Sequence, residues 1–324
     1  MRKRYGIFLC ILFMLSLLLA GCKEDEDTQS IKPSEKGIAV SDTGLELGLT
    51  SENYPSIDGS TSTLPLVQEI YKAMVVPTGE GEEWLNLPQT PSKTVPSYKK
   101  LIAGEVDMIF VPYASQDILK EAKTQEVKLE FFPVSTEALI FITSNDNTAQ
   151  NITEEQVRNI YIDYAINNWK EIGGPDKELI PLCRNADSGS QSQLDNLILK
   201  GQPMNERIKE NFVELTMDGL LEQVAFYHNV SEKECFGLGY TLYHYLQNVD
   251  GITGIGEKLR ILNYEGIPAT SETIKDGSYP LVSNYYAVVR KDLPKDHAAR
   301  KIIEWLKTDD GKKCIRRSGL YPVT

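Results

Sequence analysis

A chain of 324 residues with 46 acidic and 34 basic side chains, net charge −12, repels polyanions as a body. That argues against nucleic-acid binding and gives anionic lipid no matching surface, so any bound anion must be gripped by local groups acting against the overall field. An apolar content of 41% is ordinary, and at typical domain sizes this length provides a full core and suggests two lobes.

The chain opens on Arg2-Lys3-Arg4, followed by an apolar run from Tyr5 to Ala20 and the stretch Leu18-Leu19-Ala20-Gly21-Cys22. A basic head, a short apolar core and small residues before a cut site describe a secretory signal segment; the run is too short and wrongly flanked for a permanent span. The cysteine directly after Ala-Gly resembles the lipobox of bacterial lipoproteins. The expectations are a signal peptide over residues 1–21, lipidation (palmitate) at Cys22, and a body on the extracytoplasmic face of the cell membrane. An uncleaved anchor helix is the alternative and leaves the body on the same side. Without its first 21 residues the chain keeps 31 basic and 46 acidic residues, a net charge of −15.

Residues 22–45 include Glu24-Asp25-Glu26-Asp27, Pro33 and Gly37 and lack apolar periodicity, so they read as a flexible acidic tether. At about 5–6 Å times the square root of its length, such a tether holds the body roughly 25 Å from the lipid. Beyond it, strand-like runs alternate with helical patterns, the mark of open α/β sheets with helical crossovers. Strands are predicted at 54–58, 106–112, 128–134, 138–143, 180–184, 260–264 and 285–290. Helices are predicted from Pro65 with Leu66, Ile70 and Met74 on one face, and over 95–103 before Gly104. Another follows the capping box Thr153 to Gln156, and a last one carries Ala299, Ile302, Ile303 and Leu306.

Two segments share one local logic: a strand ends, small hydroxyl residues turn the chain, and a helix begins. The first is Ile57-Asp58-Gly59-Ser60-Thr61-Ser62-Thr63-Leu64-Pro65, where Pro65 suits the first helical turn. The second is Arg184-Asn185-Ala186-Asp187-Ser188-Gly189-Ser190-Gln191. Each gathers hydroxyls and backbone N–H groups at the positive end of a helix, which suits an anion; an ordinary N-cap with no ligand is the alternative for each. Arg184 stands four residues before Ser188, and its planar fork can fold over an oxyanion held at the cap.

Other chemistry has little support. Cys183, Cys235 and Cys314 have no metal-type spacing and read as buried free thiols, with one bridge among them as the alternative. His228, His244 and His297 form no ligand pair, so no metal and no cofactor are expected. There is no Gly-x-Ser-x-Gly elbow and no histidine beside a plausible nucleophile, which argues for a binding protein and against an enzyme. Tyr240, Tyr243, Tyr245, Tyr285 and Tyr286 read as core aromatics, with lining of a cleft as the alternative.

The run of segments "IDGSTSTLPL", "LIAGEVDMIFVP", "ALIFITSND", "NITEEQVRNIY", "NWKEIGG", "RNADSGSQ", "GYTLYHYL" and "YPLVSNYYAVVRKD" resembles the phosphate-binding lipoproteins of ABC transporters, the PstS-like type II periplasmic binding proteins, across roughly residues 50–324. That resemblance implies an α/β fold of two lobes, each a central mixed sheet flanked by helices, joined by two hinge strands and closing on one anion. It implies a first lobe of residues 46–138 and 286–324 and a second of 139–285, with crossings near 133–144 and 279–290. The implied ligand contacts are Ser60, Thr61, Ser62 and Thr63 from the first loop, and Arg184, Ser188, Gly189 and Ser190 from the second. A third contact of the family falls on Pro91-Ser92-Lys93-Thr94, where Thr94 or Ser92 stands in, with a plain N-cap at Thr94 as the alternative. The implied partners are phosphate or a similar small oxyanion and an ABC permease, for a protein that works as a monomer and touches the membrane through its lipid only. A ligand-sensing lipoprotein of the same fold, uncoupled from transport, is the alternative.

One departure bears on specificity. Where phosphate binders of this type present an aspartate to accept the ligand's remaining proton, this chain has Pro112-Tyr113-Ala114-Ser115-Gln116-Asp117. A carboxylate acceptor tells protonated phosphate from sulfate, because a fully ionised oxyanion would be repelled by it. Asp117 and Asp58 are the available substitutes, with solvated or structural roles as the reading preferred for both.

Overall fold

The computed structural model describes residues 39–77, 87–230 and 234–323; the expected signal segment, Cys22 and most of the expected tether lie outside them. The strands in chain order are β1 (Ile57–Gly59), β2 (Met108–Pro112), β3 (Leu129–Ser144), β4 (Asn151–Ile152), β5 (Glu178–Pro181) and β6 (Cys183–Arg184). They continue with β7 (Val213–Glu214), β8 (Cys235–Leu242), β9 (Leu259–Ile261), β10 (Asn263–Tyr264), β11 (Val282–Arg290) and β12 (Tyr321–Pro322).

One mixed sheet runs in the order β1-β2-β11-β3-β8-β5, with β9 and β12 also paired to β3. The long strand β3 belongs to both of its halves. Residues 129–138 pair antiparallel with β11, and residues 139–143 pair antiparallel with β8. The two predicted strands at 128–134 and 138–143 are therefore one. Pro133, which has no N–H to give a ladder, sits at a bulge where Tyr285 opposes Ser135 while Tyr286 opposes Pro133. The carbonyl of Val134 at that bulge accepts from Val323 N at 3.2 Å. Strand β3 thus joins the two halves of the sheet, passing from β11 to β8 between residues 138 and 139, and the bulge lies within its pairing to β11.

Strand β8 has no counterpart among the predicted strands. Its eight residues are all buried, and with no polar face it shows no period-2 alternation. Its glycines disguise it further: a Cβ on Gly239 would lie 2.5 Å from Val224, because the helix Met217–Val230 packs directly on the strand. The predicted run 180–184 splits at Leu182 into β5 and β6, and 260–264 splits at Leu262 into β9 and β10.

Helices cover both lobes. Leu64–Met74 buries Leu66, Val67, Ile70, Tyr71 and Met74, each a contribution of about 1.5–3 kcal/mol by burial of its side chain. Thr94–Ala103 ends at Gly104 with φ 75°, and Glu154–Tyr161 opens on the reciprocal Thr153–Gln156 capping box. Ala298–Leu306 buries the predicted Ala299, Ile302, Ile303 and Leu306. Asp309–Arg317 follows and is tied to the Leu64–Met74 helix by Arg317 Nε to Glu69 Oε2 at 3.0 Å. No helix among the described residues is long and apolar enough to cross a membrane.

The predicted tether extends too far. Val40 bridges Val75, Val76 N donates to Ala39 O at 2.8 Å, and Ser41 caps the short helix Asp42–Glu46. The carboxylates near these residues hide a small apolar anchor, Val40 with the buried Gly44 against Met74. Cys183, Cys235 and Cys314 are buried and free.

Candidate functional site

The first hydroxyl loop leaves the C-terminal end of β1. Ser60 N donates to Phe110 O and to Thr63 Oγ1, each at 3.1 Å, and Thr63 Oγ1 donates to Phe110 O at 2.6 Å. Thr63 therefore ties the loop to β2; it is fully buried and outside the cavity lining. Ser60 and Ser62 hydroxyls stand 2.9 Å apart, and Thr61 begins a single 3₁₀ turn, 61–63, that feeds the helix Leu64–Met74. Asp58 Oδ1 accepts from Gly59 N at 2.7 Å and from Ser92 N at 2.9 Å. That carboxylate joins the first loop to the start of the Thr94–Ala103 helix.

At that helix start Lys93 has φ 75° and ψ 173°, a region that only glycine occupies without strain. Lys93 and Thr94 both line the cavity. Ser92 does not: its hydroxyl accepts from Lys100 Nζ at 2.8 Å, which also lies 3.8 Å from Asp58 Oδ2.

From the other lobe, β6 ends at Arg184, which is 7% exposed. Its backbone N donates to Tyr240 Oη at 3.0 Å. The guanidinium is held by Nε to Glu214 O at 3.0 Å, Nη1 to Met217 Sδ at 3.0 Å and Nη2 to Leu215 O at 3.2 Å. These use three of the five N–H donors the group carries, and none of the partners is a carboxylate. Burial lowers the Arg184 pKa, while Tyr240, Tyr245, Glu214 and Asp218 oppose the shift. A buried cation held by neutral acceptors is a cost to the fold that a bound anion offsets.

Ser188 leads into the helix Gly189–Leu194, which continues as a π turn over Asp195–Leu199. The Ser188 and Ser190 hydroxyls lie 3.0 Å apart, and Ser192 Oγ donates back to Ser188 O at 3.1 Å. The two lobes touch here. Val95 N donates to Asp187 O at 3.3 Å, Gln193 Nε2 to Tyr113 O at 3.2 Å, and Asn196 Nδ2 to Ala114 O at 3.1 Å.

One cavity of about 200 Å³ collects these parts; at about 30 Å³ per water that is room for a small polyatomic ion and little else. The structure brings Ser60, Thr61, Ser62, Thr94, Arg184, Ser188 and Gly189 together on its wall, and leaves Thr63 and Ser190 just behind it. Thr63 acts as a staple, and Ser190 is fully buried, touching Ser188 Oγ and, at 3.8 Å, Met217 Sδ.

Six further polar residues on the wall, Lys93, Asn185, Asp187, Thr216, Asp218 and Tyr245, are absent from the predicted set of contacts. Lys93 and Asp187 lie inside the segments singled out from sequence, whereas nothing in the sequence around Asp218 points to a site. Asp218 accepts a hydrogen bond from Tyr245 Oη; burial, and then that bond, raise the Tyr245 pKa above the usual tyrosine range. Asp117 is exposed on the first turn of the helix Gln116–Thr124, away from the wall, and Asp58 is occupied with backbone N–H groups. Among the described residues no group of histidine, cysteine and carboxylate side chains could hold a metal ion.

The PBP superfamily domain model matches residues 50–310. The phosphate-binding protein PstS of Borreliella burgdorferi is 27% identical over 283 residues, covering 84% of this chain and 91% of that protein. Among solved structures, a protein of Clostridium perfringens described as a phosphate ABC transporter substrate-binding protein with bound phosphate has TM-score 0.61 and 19% identity, over 83% of this chain and 98% of its own. An ABC-type phosphate transport receptor of Vibrio cholerae has TM-score 0.57 and 19% identity, over 82% and 98%. At such identities the structural likeness speaks for the fold, a type II periplasmic-binding-protein architecture.

Proposed function

The chain belongs to the PBP superfamily, and on that premise we propose that it is an extracytoplasmic receptor. It captures phosphate or a related small oxyanion between its lobes and delivers it to an ABC permease. The observation that carries this reading is the convergence of Ser60–Ser62, Thr94, Arg184, Ser188 and Gly189 on one small cavity whose buried guanidinium hydrogen-bonds to no carboxylate among the described residues.

The energetics are adequate. Micromolar binding requires about 8 kcal/mol; hydrogen bonds to a charged ligand contribute about 1.5–3 kcal/mol each and a helix start about 0.3–1 kcal/mol. Four or five donors suffice, and they come from both lobes, so binding is coupled to closure over residues 46–138 with 286–324 and residues 139–285, moving about β3 and β11. The donors act inside a space from which closure excludes water, where their effective strength rises. Acylation at Cys22 holds the receptor at the membrane.

Two measurements test this. Isothermal titration with phosphate, sulfate and organic anions should show phosphate binding at micromolar strength or tighter; absence of heat with every anion would end the reading. Fractionation of cells carrying the Cys22→Ala variant should move the protein from membrane to soluble fractions, and unchanged membrane association would remove the lipid anchor.

A further inference from the structure

The cavity wall carries two carboxylates, Asp187 and Asp218, beside its two cations, Lys93 and Arg184. A carboxylate in such a place repels a bare oxyanion, and that repulsion selects between ligands only where the group is held in position. The two differ in this respect. Asp218 lies on the first turn of the helix Met217–Val230, and its Oδ1 accepts a hydrogen bond from Tyr245 Oη. Tyr245, on the helix Tyr243–Thr253, is 7% exposed, so its ring is fixed by packing and the carboxylate is fixed through it. Asp187 joins the lobes through its carbonyl, which accepts from Val95 N at 3.3 Å, while its carboxylate makes no hydrogen bond or ion pair among the described residues.

Asp218 is also yoked to the buried cation. Arg184 Nη1 donates to Met217 Sδ at 3.0 Å and Nη2 to Leu215 O at 3.2 Å, so the guanidinium is clamped on the segment that leads into Asp218. The two charges are near enough for Asp218 to oppose the lowering of the Arg184 pKa that burial causes. Cation and carboxylate thus share one side of the cavity without a hydrogen bond between them.

Counting protons assigns the roles. Tyr245 has one proton and gives it to Asp218 Oδ1; burial, first, and then that bond hold its pKa above the usual tyrosine range, so the proton stays. A carboxylate has about four lone-pair sites and no donor. With one hydrogen bond received, Asp218 can accept more. It is open to solvent, so its remaining sites are hydrated until a ligand arrives and closure removes the water. A ligand that replaces that water must bring a hydrogen of its own.

We propose that Asp218, oriented by Tyr245, sets which anion the cavity takes: it accepts a hydrogen bond from an O–H of the ligand, so a protonated oxyanion such as phosphate is bound and a fully ionised one such as sulfate is rejected. The inference rests on the anion-receptor reading above. Arg184 and the hydroxyl loops attract both anions, and Asp218 supplies the difference between them.

The test is titration calorimetry at neutral pH with phosphate and with sulfate on the unaltered protein, Asp218→Asn, Asp187→Asn and Tyr245→Phe, each checked for folding by thermal melting. The unaltered protein should bind phosphate at least about tenfold more tightly than sulfate, the scale of one hydrogen bond to a charged group. Asp218→Asn removes the repulsion and adds an N–H donor, so sulfate should bind this variant at least about tenfold more tightly than it binds the unaltered protein, while phosphate gains nothing. A structural role would weaken both anions alike. Tyr245→Phe lets the carboxylate turn and should narrow the preference by a few fold, and Asp187→Asn should leave it in place. No tightening of sulfate in folded Asp218→Asn, or a preference that is lost with Asp187 instead, overturns the proposal. Equal affinity of the unaltered protein for the two anions overturns it without any variant. Binding of neither anion by the unaltered protein overturns the receptor reading instead.

Discussion

Replacing Gly189 by alanine places one methyl group in the seam between the lobes. A Cβ at this position would lie 2.7 Å from Thr94 Oγ1 and 2.9 Å from Pro112 Cγ, whereas non-bonded carbon contacts are favourable only from about 3.5 Å. The threonine hydroxyl can rotate away, but the proline ring is fixed in β2, so the seam must open by about 0.6 Å. Both obstructing residues belong to the lobe opposite Gly189, and neither lobe's own core is disturbed. The cost therefore falls on the closed state. Loss of good geometry at one donor, at about 1.5–3 kcal/mol, corresponds to a roughly tenfold to 150-fold weaker affinity for phosphate. Titration calorimetry reads the affinity, and thermal melting of the ligand-free protein should change little. Unchanged affinity, or a melting temperature that collapses while affinity holds, would show that the lobes do not meet at Gly189 when the ligand is bound.

Lys93→Gly should relieve a backbone conformation that costs about 1–3 kcal/mol in a residue with a side chain, raising the melting temperature while weakening phosphate binding through loss of a cation from the cavity wall; a lowered melting temperature would contradict the strain. Gln193→Ala removes a clasp from one lobe to Tyr113 O of the other and should weaken ligand binding by a few fold, measured by titration, at about 0.5–1.5 kcal/mol for one neutral hydrogen bond. Burial pushes the Cys183 and Cys314 thiols up to about 12 from 9.0. The folded state therefore holds those protons where the unfolded state releases them, and this contribution to stability is full below pH 9 and is lost as pH rises toward 12. Thiol-specific reagents at pH 8 should leave both cysteines untouched in the native protein and modify them after denaturation.

The parts of this fold that were legible in the sequence are those with a strong local signal. Thr153 to Gln156 reads as a capping box because both reciprocal bonds are made within four residues, and Ala299, Ile302, Ile303 and Leu306 fall on one helical stripe. Strand β8 was hidden because a strand buried on both faces has no alternation, and its glycines, which look like turn signals, are there to admit Val224. The unity of β3 was hidden by Pro133, whose bulge looks like a break until β11 and β12 are seen to pair around it.

The site divides in the same way. Ser60 to Ser62 and Arg184 to Gly189 announce themselves as hydroxyl-rich helix starts. Asp218 and Tyr245 reach the cavity only through tertiary pairing. Each sits in a segment whose own composition is that of an ordinary helix.

The central claim is that the two helix beginnings grip one anion with Arg184 as its buried counter-charge. Calorimetric titration of the unaltered protein and of Arg184→Ala with phosphate tests it most directly. One ion per protein should bind the unaltered chain, and the variant, still folded by thermal melting, should bind at least about tenfold more weakly, the scale of one hydrogen bond to a charged ligand. Equal affinity in the two proteins would contradict the account.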